Sequence, residues 1–159
     1  MKIIIITGEK GKGKTTFLKK YLQKSGFDKS STAGFYALNT GDDGYEIVNI
    51  STMERALLCK RHSPETGDII LQDFYFDQKV ITLGEKWLAQ GLTRNDPTFV
   101  IDEIGKFEID GFVWNKVLKK IIENNTGTLI IVVRKKFLNQ VVIYYGLDRK
   151  ENVLEIIEV

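Results

Sequence analysis

Residues 7–16, TGEKGKGKTT, constrain the fold of this chain more than any other stretch. They follow four consecutive isoleucines at positions 3–6, a non-alternating β-branched run that is typical of a strand buried on both faces of a largely parallel sheet. After them, apolar residues recur at helical spacing as far as Leu22. The sequence therefore predicts a glycine-rich turn between a buried strand and an amphipathic helix, a place where backbone N–H groups can approach an anion.

Residues 8–15 of this turn fit the P-loop pattern G-x-x-x-x-G-K-[ST]. The glycines let backbone N–H groups point inward at the positive end of the helix. Lys14 is predicted to reach the β- and γ-phosphates, and the Thr15 hydroxyl is predicted to ligate Mg²⁺. The residues predicted to contact the nucleotide are Gly8, Glu9, Lys10, Gly11, Lys12, Gly13, Lys14, Thr15 and Thr16.

Two acids follow a second apolar run in FVIDEIG, residues 99–105. Asp102 is expected at the carboxyl-terminal edge of a buried strand, where open α/β sheets bind ligands, and it is the candidate for holding Mg²⁺ through water. Glu103 points differently and is the candidate for orienting or deprotonating an attacking water, with a helix-capping or surface acid as the alternative. Arg134 ends the run TLIIVVR, from which its cation could approach the γ-phosphate; a solvated arginine is an equal alternative.

Strand and helix patterns alternate along most of the chain. Buried strands are predicted at 3–6, 99–101 and 128–133, and helices over 17–22, 76–87 and 113–121, with stops at Gly26, Gly91 and NNTG. Strand patterns flanking TGDDG predict an antiparallel hairpin with further strands after it. Residues 137–146 fit either helix or strand, and residues 152–159 fit a closing strand.

We predict an α/β fold of the P-loop NTPase type: a mostly parallel central sheet flanked by helices, with an antiparallel extension at about 34–75, in one domain over residues 1–159.

Composition limits the class of protein. The 159 residues are 43% hydrophobic and 28% charged with a formal net charge of +2, which is normal for a globular chain and gives no strong nucleic-acid signal. The start does not resemble a signal peptide, and no apolar run is long enough to span a membrane, so no membrane partner is expected. A single cysteine, Cys59, excludes an internal disulfide and fits a cytoplasmic protein.

The remaining unusual residues have structural interpretations. Cys59 is expected to be buried and inert. His62 lies in polar sequence without a partner at metal-ligand spacing, so it is predicted to be a loop residue. Trp87 and Trp114 fall on apolar helix faces, which favours the core over a base-stacking role. The paired acids of GDDG are explained by a hairpin turn without a metal.

The acidic segment VIDEIGKFE, residues 100–108, carries a family resemblance when it is taken with GEKGKGKTTF and GFYAL. It resembles the small nucleoside-triphosphatase family first described from thermophiles, whose members have a P-loop, a Gly-Phe-Tyr segment and Asp-Glu-Ile-Gly-Lys-x-Glu. The match covers residue 1 to about residue 133, and the acidic motif is its specific part. The usual Pro-Gly pair of the loop is Lys10-Gly11 here, and the stretch after Ile131 is shorter and less familiar.

The resemblance implies a P-loop fold with extra antiparallel strands and slow Mg²⁺-dependent hydrolysis of ATP, GTP and other nucleoside triphosphates. It also implies that the roles given above are kept by Lys14, Thr15, Asp102 and Glu103.

Three functions are open from the residues. The first is a nucleoside triphosphatase with Mg²⁺ as cofactor and ATP or GTP as substrate. The second is a small nucleoside or nucleotide kinase, which needs a second substrate pocket and usually an arginine-rich lid that the sequence lacks. The third is a nucleotide-gated binding module that uses residues 34–75 as its partner surface. The preferred base, the oligomeric state and any protein partner have no recognisable signature.

Overall fold

The computed structural model describes residues 1–41 and 44–159, in which strands and helices mostly alternate, except for a run of five consecutive strands. In chain order these elements are β1 (Lys2–Gly8), α1 (Lys14–Lys24), β2 (Thr32–Asn39), β3 (Tyr45–Asn49), β4 (Arg55–Lys60), β5 (Ile69–Leu71), β6 (Phe74–Phe76), α2 (Gln78–Arg94), β7 (Thr98–Ile104), α3 (Lys106–Ile109), α4 (Asn115–Asn124), β8 (Thr128–Arg134), α5 (Leu138–Tyr145) and β9 (Val153–Glu158). Single 3₁₀ turns occupy Lys29–Ser31 and Lys135–Phe137. Within these two ranges no helix is both long and apolar enough to cross a lipid bilayer.

All the strands belong to one sheet, in the order β5-β6-β4-β3-β2-β7-β8-β1-β9. The five strands from β2 to β9 in this order pair in parallel, as βαβ crossovers require. The predicted buried strands are therefore confirmed as β1, β7 and β8, and residues 152–159 contain the closing strand β9. Every side chain from Ile3 to Ile6 is fully buried, which explains why that run does not alternate.

The other half of the sheet is antiparallel. Strand β3 pairs antiparallel with β2, and β4, β6 and β5 continue the pattern. The predicted extension is confirmed, with β2 as the junction because β2 pairs in parallel with β7 on its other side. Strands β2 and β3 are consecutive in the chain and paired, and the acids of the predicted GDDG turn, Asp42 and Asp43, lie outside the described residues.

Helix α2 corrects one sequence expectation. Phe76 belongs to β6, and the helix begins after Asp77, whose side chain accepts a hydrogen bond from the Lys79 N–H. The expected stop at Gly91 is wrong, because the helix runs through it to Arg94 and ends at Asn95 in the left-handed conformation. A Cβ on Gly91 would lie 2.2 Å from the Ala33 Cβ, so this glycine permits close packing of the helix on the sheet.

The structure also corrects the start of helix α4 and resolves the ambiguous segment 137–146. Helix α4 starts at Asn115, so Val113 and Trp114 precede it instead of forming its first turn. The ambiguous residues 137–146 contain helix α5, which ends at Gly146 in the left-handed conformation.

The sheet is covered on both faces by apolar side chains. One face carries the larger cluster, which includes Trp87 of α2 and Trp114, and the other carries a smaller cluster around Leu18 of α1. Both tryptophans are buried, as predicted. Cys59 is also buried, as expected, and burial raises the pKa of its thiol to about 12. His62 lies in a loop.

Candidate functional site

The glycine-rich turn has the backbone conformation that a phosphate cradle needs. Gly11 and Gly13 have φ angles of 79° and 80°, in the left-handed region that glycine enters without strain. Gly13 immediately precedes α1, whose first hydrogen bond runs from the Phe17 N–H to the Gly13 carbonyl. The loop therefore leads directly into the positive end of a helix, where N–H groups without intrahelical partners can bind an anion.

The side chains of the loop divide into an inner and an outer set. Lys14 is buried, and its Nζ donates a hydrogen bond to the Glu9 carbonyl at 2.9 Å. The side chains of Lys10 and Lys12 point into solvent, and the outer set of exposed loop positions comprises Glu9, Lys10, Gly11, Lys12, Gly13 and Thr16. Of the three lysines of the turn, only Lys14 is held inside the loop.

The loop is joined to strand β7 by one side-chain hydrogen bond. The Thr15 hydroxyl donates to the Asp102 Oδ2 at 2.7 Å, across a sequence separation of 87 residues. The same Asp102 oxygen accepts a hydrogen bond from the Ala37 N–H of β2 at 3.2 Å. The two residues predicted from separate motifs to hold a metal are thus in direct contact.

Asp102 is an unusually buried carboxylate, with 2% of its surface exposed. Burial raises the pKa of Asp102 to about 7, and the nearby Glu103 adds to the effect, while the hydrogen bond from Thr15 opposes it. A carboxylate in this position gains from a cation beside it, because a cation offsets the cost of removing the charge from water.

The Thr15–Asp102 pair has a donor set that suits magnesium. Mg²⁺ is commonly held by one or two carboxylates together with water and substrate phosphates, so one carboxylate and one hydroxyl are sufficient from the protein. In the described part of the chain, no three His, Cys, Asp or Glu side chains are grouped closely enough to bind a metal unaided. A magnesium ion at this site would therefore depend on the nucleotide for the rest of its ligands.

Glu103 and Arg134 form an ion pair beside Asp102. The Arg134 Nε lies 2.6 Å from the Glu103 Oε1, although the N–H direction does not give a hydrogen bond. About a third of each side chain is exposed, 31% for Glu103 and 29% for Arg134. Strands β7 and β8 are neighbours, and β7 is irregular between Asp102 and Ile104, at Glu103. The structure thus brings the three catalytic candidates, Lys14, Glu103 and Arg134, to one edge of the sheet.

Sequence reasoning missed a further acid, Glu108. Its carboxylate is 4% exposed and accepts a hydrogen bond from the Gly105 N–H at 2.8 Å. Burial raises the pKa of Glu108 to about 8. Glu108 is the last residue of the motif DEIGKFE and lies between the apolar residues Phe107 and Ile109. This position was the sequence signal that could have indicated a buried acid.

A cavity of about 230 Å³ also went unpredicted. It opens beside Thr15, Asp102 and Glu103, and its walls come from β2, β3, β4, β6 and the segments that follow β7 and β8. No local pattern identifies such a cavity, because its lining residues are far apart in sequence.

The whole chain matches proteins with a common description. A family model described as NTPase covers residues 3–159. The nucleoside-triphosphatase THEP1 of Saccharolobus solfataricus is 31% identical over an alignment of 140 residues, and the match covers 83% of this chain and 75% of the relative. THEP1 of Thermotoga sp. strain RQ2 is 29% identical over 166 residues, with 95% of this chain and 90% of the relative covered. The similarity therefore continues beyond residue 133, where the motif resemblance ended.

Two solved structures share the fold. The crystal structure of THEP1 from Aquifex aeolicus superposes with a TM-score of 0.72 at 21% identity, over 99% of this chain and 89% of that one. The solution structure of a human cancer-related nucleoside triphosphatase gives a TM-score of 0.68 at 22% identity, over 100% and 89% of the two chains. At these identities the matches bear on the fold alone, and they confirm the predicted α/β architecture.

Proposed function

The chain belongs to the NTPase family, and we propose that it hydrolyses ATP, GTP and other nucleoside triphosphates to diphosphate and phosphate with Mg²⁺ as cofactor. The observation that carries this proposal is the hydrogen bond from Thr15 to Asp102. It joins the phosphate loop to the strand that bears the next acid, Glu103, so that phosphate binding and water activation meet at one point.

In the proposed mechanism the loop holds the substrate by its phosphates. Backbone N–H groups around Gly11 and Gly13 bind the phosphate oxygens, and the buried Lys14 ammonium exchanges its bond to the Glu9 carbonyl for the β- and γ-phosphates. Because Lys14 already lies inside the loop, little rearrangement is needed for this contact.

Thr15 and Asp102 are the residues that would hold magnesium. When bound, the ion supplies positive charge that stabilises the negative charge on the phosphates as the terminal bond breaks. Asp102 is held by Thr15 and by the Ala37 N–H, so its carboxylate is oriented before any ligand arrives.

Glu103 is proposed to orient the attacking water and to accept its proton. Arg134 contacts the Glu103 carboxylate, so one cation can both position the base and approach the transferring phosphoryl group. The proton passes to Glu103 as the water oxygen bonds to the γ-phosphorus, and the nucleoside diphosphate leaves.

The test compares phosphate release by Glu103→Gln with release by Glu123→Gln, a matched change at an exposed glutamate of α4. Removal of a general base is expected to lower kcat by about 10²–10⁴-fold, while the Glu123 variant retains the wild-type rate. Hydrolysis that continues unchanged in Glu103→Gln would show that another group is the base.

The phosphate-binding and metal assignments have their own controls. Lys14→Ala is expected to abolish release, whereas Lys20→Ala, an exposed lysine of α1, leaves it intact. Chelation by EDTA should stop hydrolysis of ATP and GTP, and added Mg²⁺ should restore it. Full activity in EDTA would contradict the proposed cofactor.

We further propose that residues 1–159 act as one domain in the cytoplasm. The continuous sheet supports a single cooperative unit, and a lone buried Cys59 suits a reducing compartment. Coincident unfolding transitions by fluorescence and circular dichroism, together with cell fractionation, would test these two points.

A further inference from the structure

The cavity beside Thr15 is larger than hydrolysis requires. Its volume is about 230 Å³, whereas one water occupies about 30 Å³ of liquid. The cavity is thus several times the volume of one water and lies just below the range of small-molecule pockets, which starts at about 300 Å³. An attacking water alone does not account for this space.

The cavity meets the phosphate loop at Thr15, the loop residue proposed to hold magnesium beside the terminal phosphate. Thr15 lines it, while residues 8–13, which form the cradle, do not. Asp102, Glu103 and Arg134 also line it, so a molecule inside would face the groups proposed to act on the terminal phosphate.

We propose that the cavity binds a neutral nucleoside whose hydroxyl group accepts the γ-phosphoryl group in place of water. The inference rests on the proposed function, because it uses the same phosphate loop and the same base, Glu103. It adds a second substrate class and a second reaction, phosphoryl transfer to an organic acceptor.

The walls of the cavity suit a planar ring. Phe107 lies edge-on to Phe76 with ring centroids 5.4 Å apart, and edge-on to Phe74 at 6.3 Å. Trp114 and Tyr45 line the same space. Aromatic faces and edges of this kind favour stacking with a base, whereas they offer an isolated water few hydrogen bonds.

One wall residue is held in an unusual backbone conformation. Val113 has a φ of 48°, which a β-branched residue rarely adopts. Strained positions of this kind cluster at ligand sites, where surrounding structure enforces them. Here the strain falls in the short connection that turns Trp114 into the cavity wall.

The charges around the cavity favour a neutral acceptor. Arg134 is paired with Glu103, and Lys106 with Asp110 at 2.7 Å. Lys136 is exposed and lies 4.8 Å from the Phe137 ring centroid. Paired in this way, Arg134 and Lys106 are less available to an acceptor that already carries phosphate.

Transfer of the γ-phosphoryl group needs no reactant other than the nucleoside triphosphate and the nucleoside. The nucleoside hydroxyl oxygen forms a bond to the γ-phosphorus, and the bond from that phosphorus to the β-phosphate oxygen breaks. The hydroxyl proton passes to the Glu103 carboxylate, and the electron pair of the broken bond leaves on the nucleoside diphosphate. The products are a nucleoside monophosphate and a nucleoside diphosphate.

The first experiment uses the wild-type protein. It is incubated with Mg²⁺, ATP labelled at the γ-phosphate and millimolar adenosine, guanosine, cytidine, uridine or thymidine, and labelled products are separated by chromatography. The expected result is a labelled nucleoside monophosphate with at least one acceptor, in addition to labelled phosphate.

The second experiment fills the cavity. Leu58 lines the cavity and is 7% exposed, while its neighbour Leu57 is 44% exposed on the other side of β4. Leu58→Trp is expected to lower monophosphate formation at least about tenfold, because the larger ring occupies the acceptor space. Phosphate release in the absence of nucleoside should stay near the wild-type rate, and Leu57→Trp should leave both reactions unchanged.

Three outcomes would overturn the proposal. The first is the absence of labelled monophosphate with every nucleoside while wild-type phosphate release proceeds, which would leave the proposed hydrolysis standing. The second is a raised KM for ATP in Leu58→Trp without nucleoside, which would show that the ATP base occupies the cavity. The third is equal loss of transfer in Leu57→Trp and Leu58→Trp. If Leu58→Trp does not fold, the wild-type product assay still decides the matter.

Discussion

The phosphate loop and the aromatic cavity meet at Thr15 but are constructed in opposite ways. The loop is a continuous stretch, and its geometry depends on two glycines with positive φ and the start of one helix. The cavity takes its walls from segments spread between Thr15 and Phe137. The difference shows that a phosphate site can be local while the space beside it depends on the packing of the whole sheet.

The largest expected effect falls on the cavity side of this comparison. Trp114→Ala should lower the free energy of unfolding by about 3–5 kcal/mol, because Trp114 is 2% exposed and packs 4.6 Å from the Phe35 ring. Urea denaturation gives the measurement. Phe112→Ala, at a residue that is 47% exposed, serves as the control. If Trp114→Ala lowers the free energy of unfolding by less than about 1 kcal/mol, the packing of this cavity wall does not contribute to stability as expected.

The contact between the two regions can be broken without touching either core. Thr15→Ala removes the hydroxyl that donates to Asp102 and is expected to lower kcat for ATP hydrolysis by about 10²-fold, a typical cost for a lost catalytic contact. Thr15→Ser keeps the hydroxyl and should retain most of the rate and of the Mg²⁺ dependence. Equal activity in the two variants would exclude a role for the hydroxyl.

On the loop side, Gly13→Ala should cost about 1–2 kcal/mol, because an L-residue with a side chain is strained at a φ of 80°. A Cβ at Gly13 has no atom within 4 Å, so the cost is conformational and not steric. Gly13→Asn should cost less, since asparagine tolerates the left-handed region. Thermal unfolding of both variants, with and without ATP, would measure the loss of stability in each. A larger loss in Gly13→Asn than in Gly13→Ala would contradict the backbone explanation.

The smallest effect at a fixed pH near 4 is expected at Glu108, where the change lies in the pH dependence. Its pKa is about 8 in the folded protein against 4.5 as the ordinary value, and burial is the main cause. Between these values the unfolded chain loses its proton more readily, so the contribution of Glu108 to stability falls as pH rises from about 4.5 through about 8.

Glu108→Gln removes that group while keeping its shape and its acceptor for the Gly105 N–H. At a pH of about 4, where Glu108 is protonated in both the folded and the unfolded chain, the variant should differ from wild type by less than about 1 kcal/mol. Its stability should then fall less than that of wild type as pH rises toward 9. Asp102 and Glu103 are present in both proteins, so the difference between the two curves belongs to Glu108. Parallel curves over this range would contradict its buried neutral state.

Much of the site was predictable because its signals are local. The strand, loop and helix around Lys14 follow from apolar runs and glycine spacing, and Asp102 follows from its place after a buried run. The stop expected at Gly91 failed for a physical reason: the same residue that ends many helices also permits a helix to approach a sheet closely. The neighbouring Ala33 of β2 distinguishes these two uses, and that neighbour is distant in sequence.

The sequence by itself determined the phosphate loop, the parallel strands and the acids at the edge of β7, because each depends on residues close together in the chain. Only the tertiary structure decided that Thr15 donates to Asp102, that Arg134 pairs with Glu103, and that aromatic side chains enclose a cavity beside them. These contacts depend on strand order and on the packing of distant segments, and no pattern of neighbouring residues specifies either.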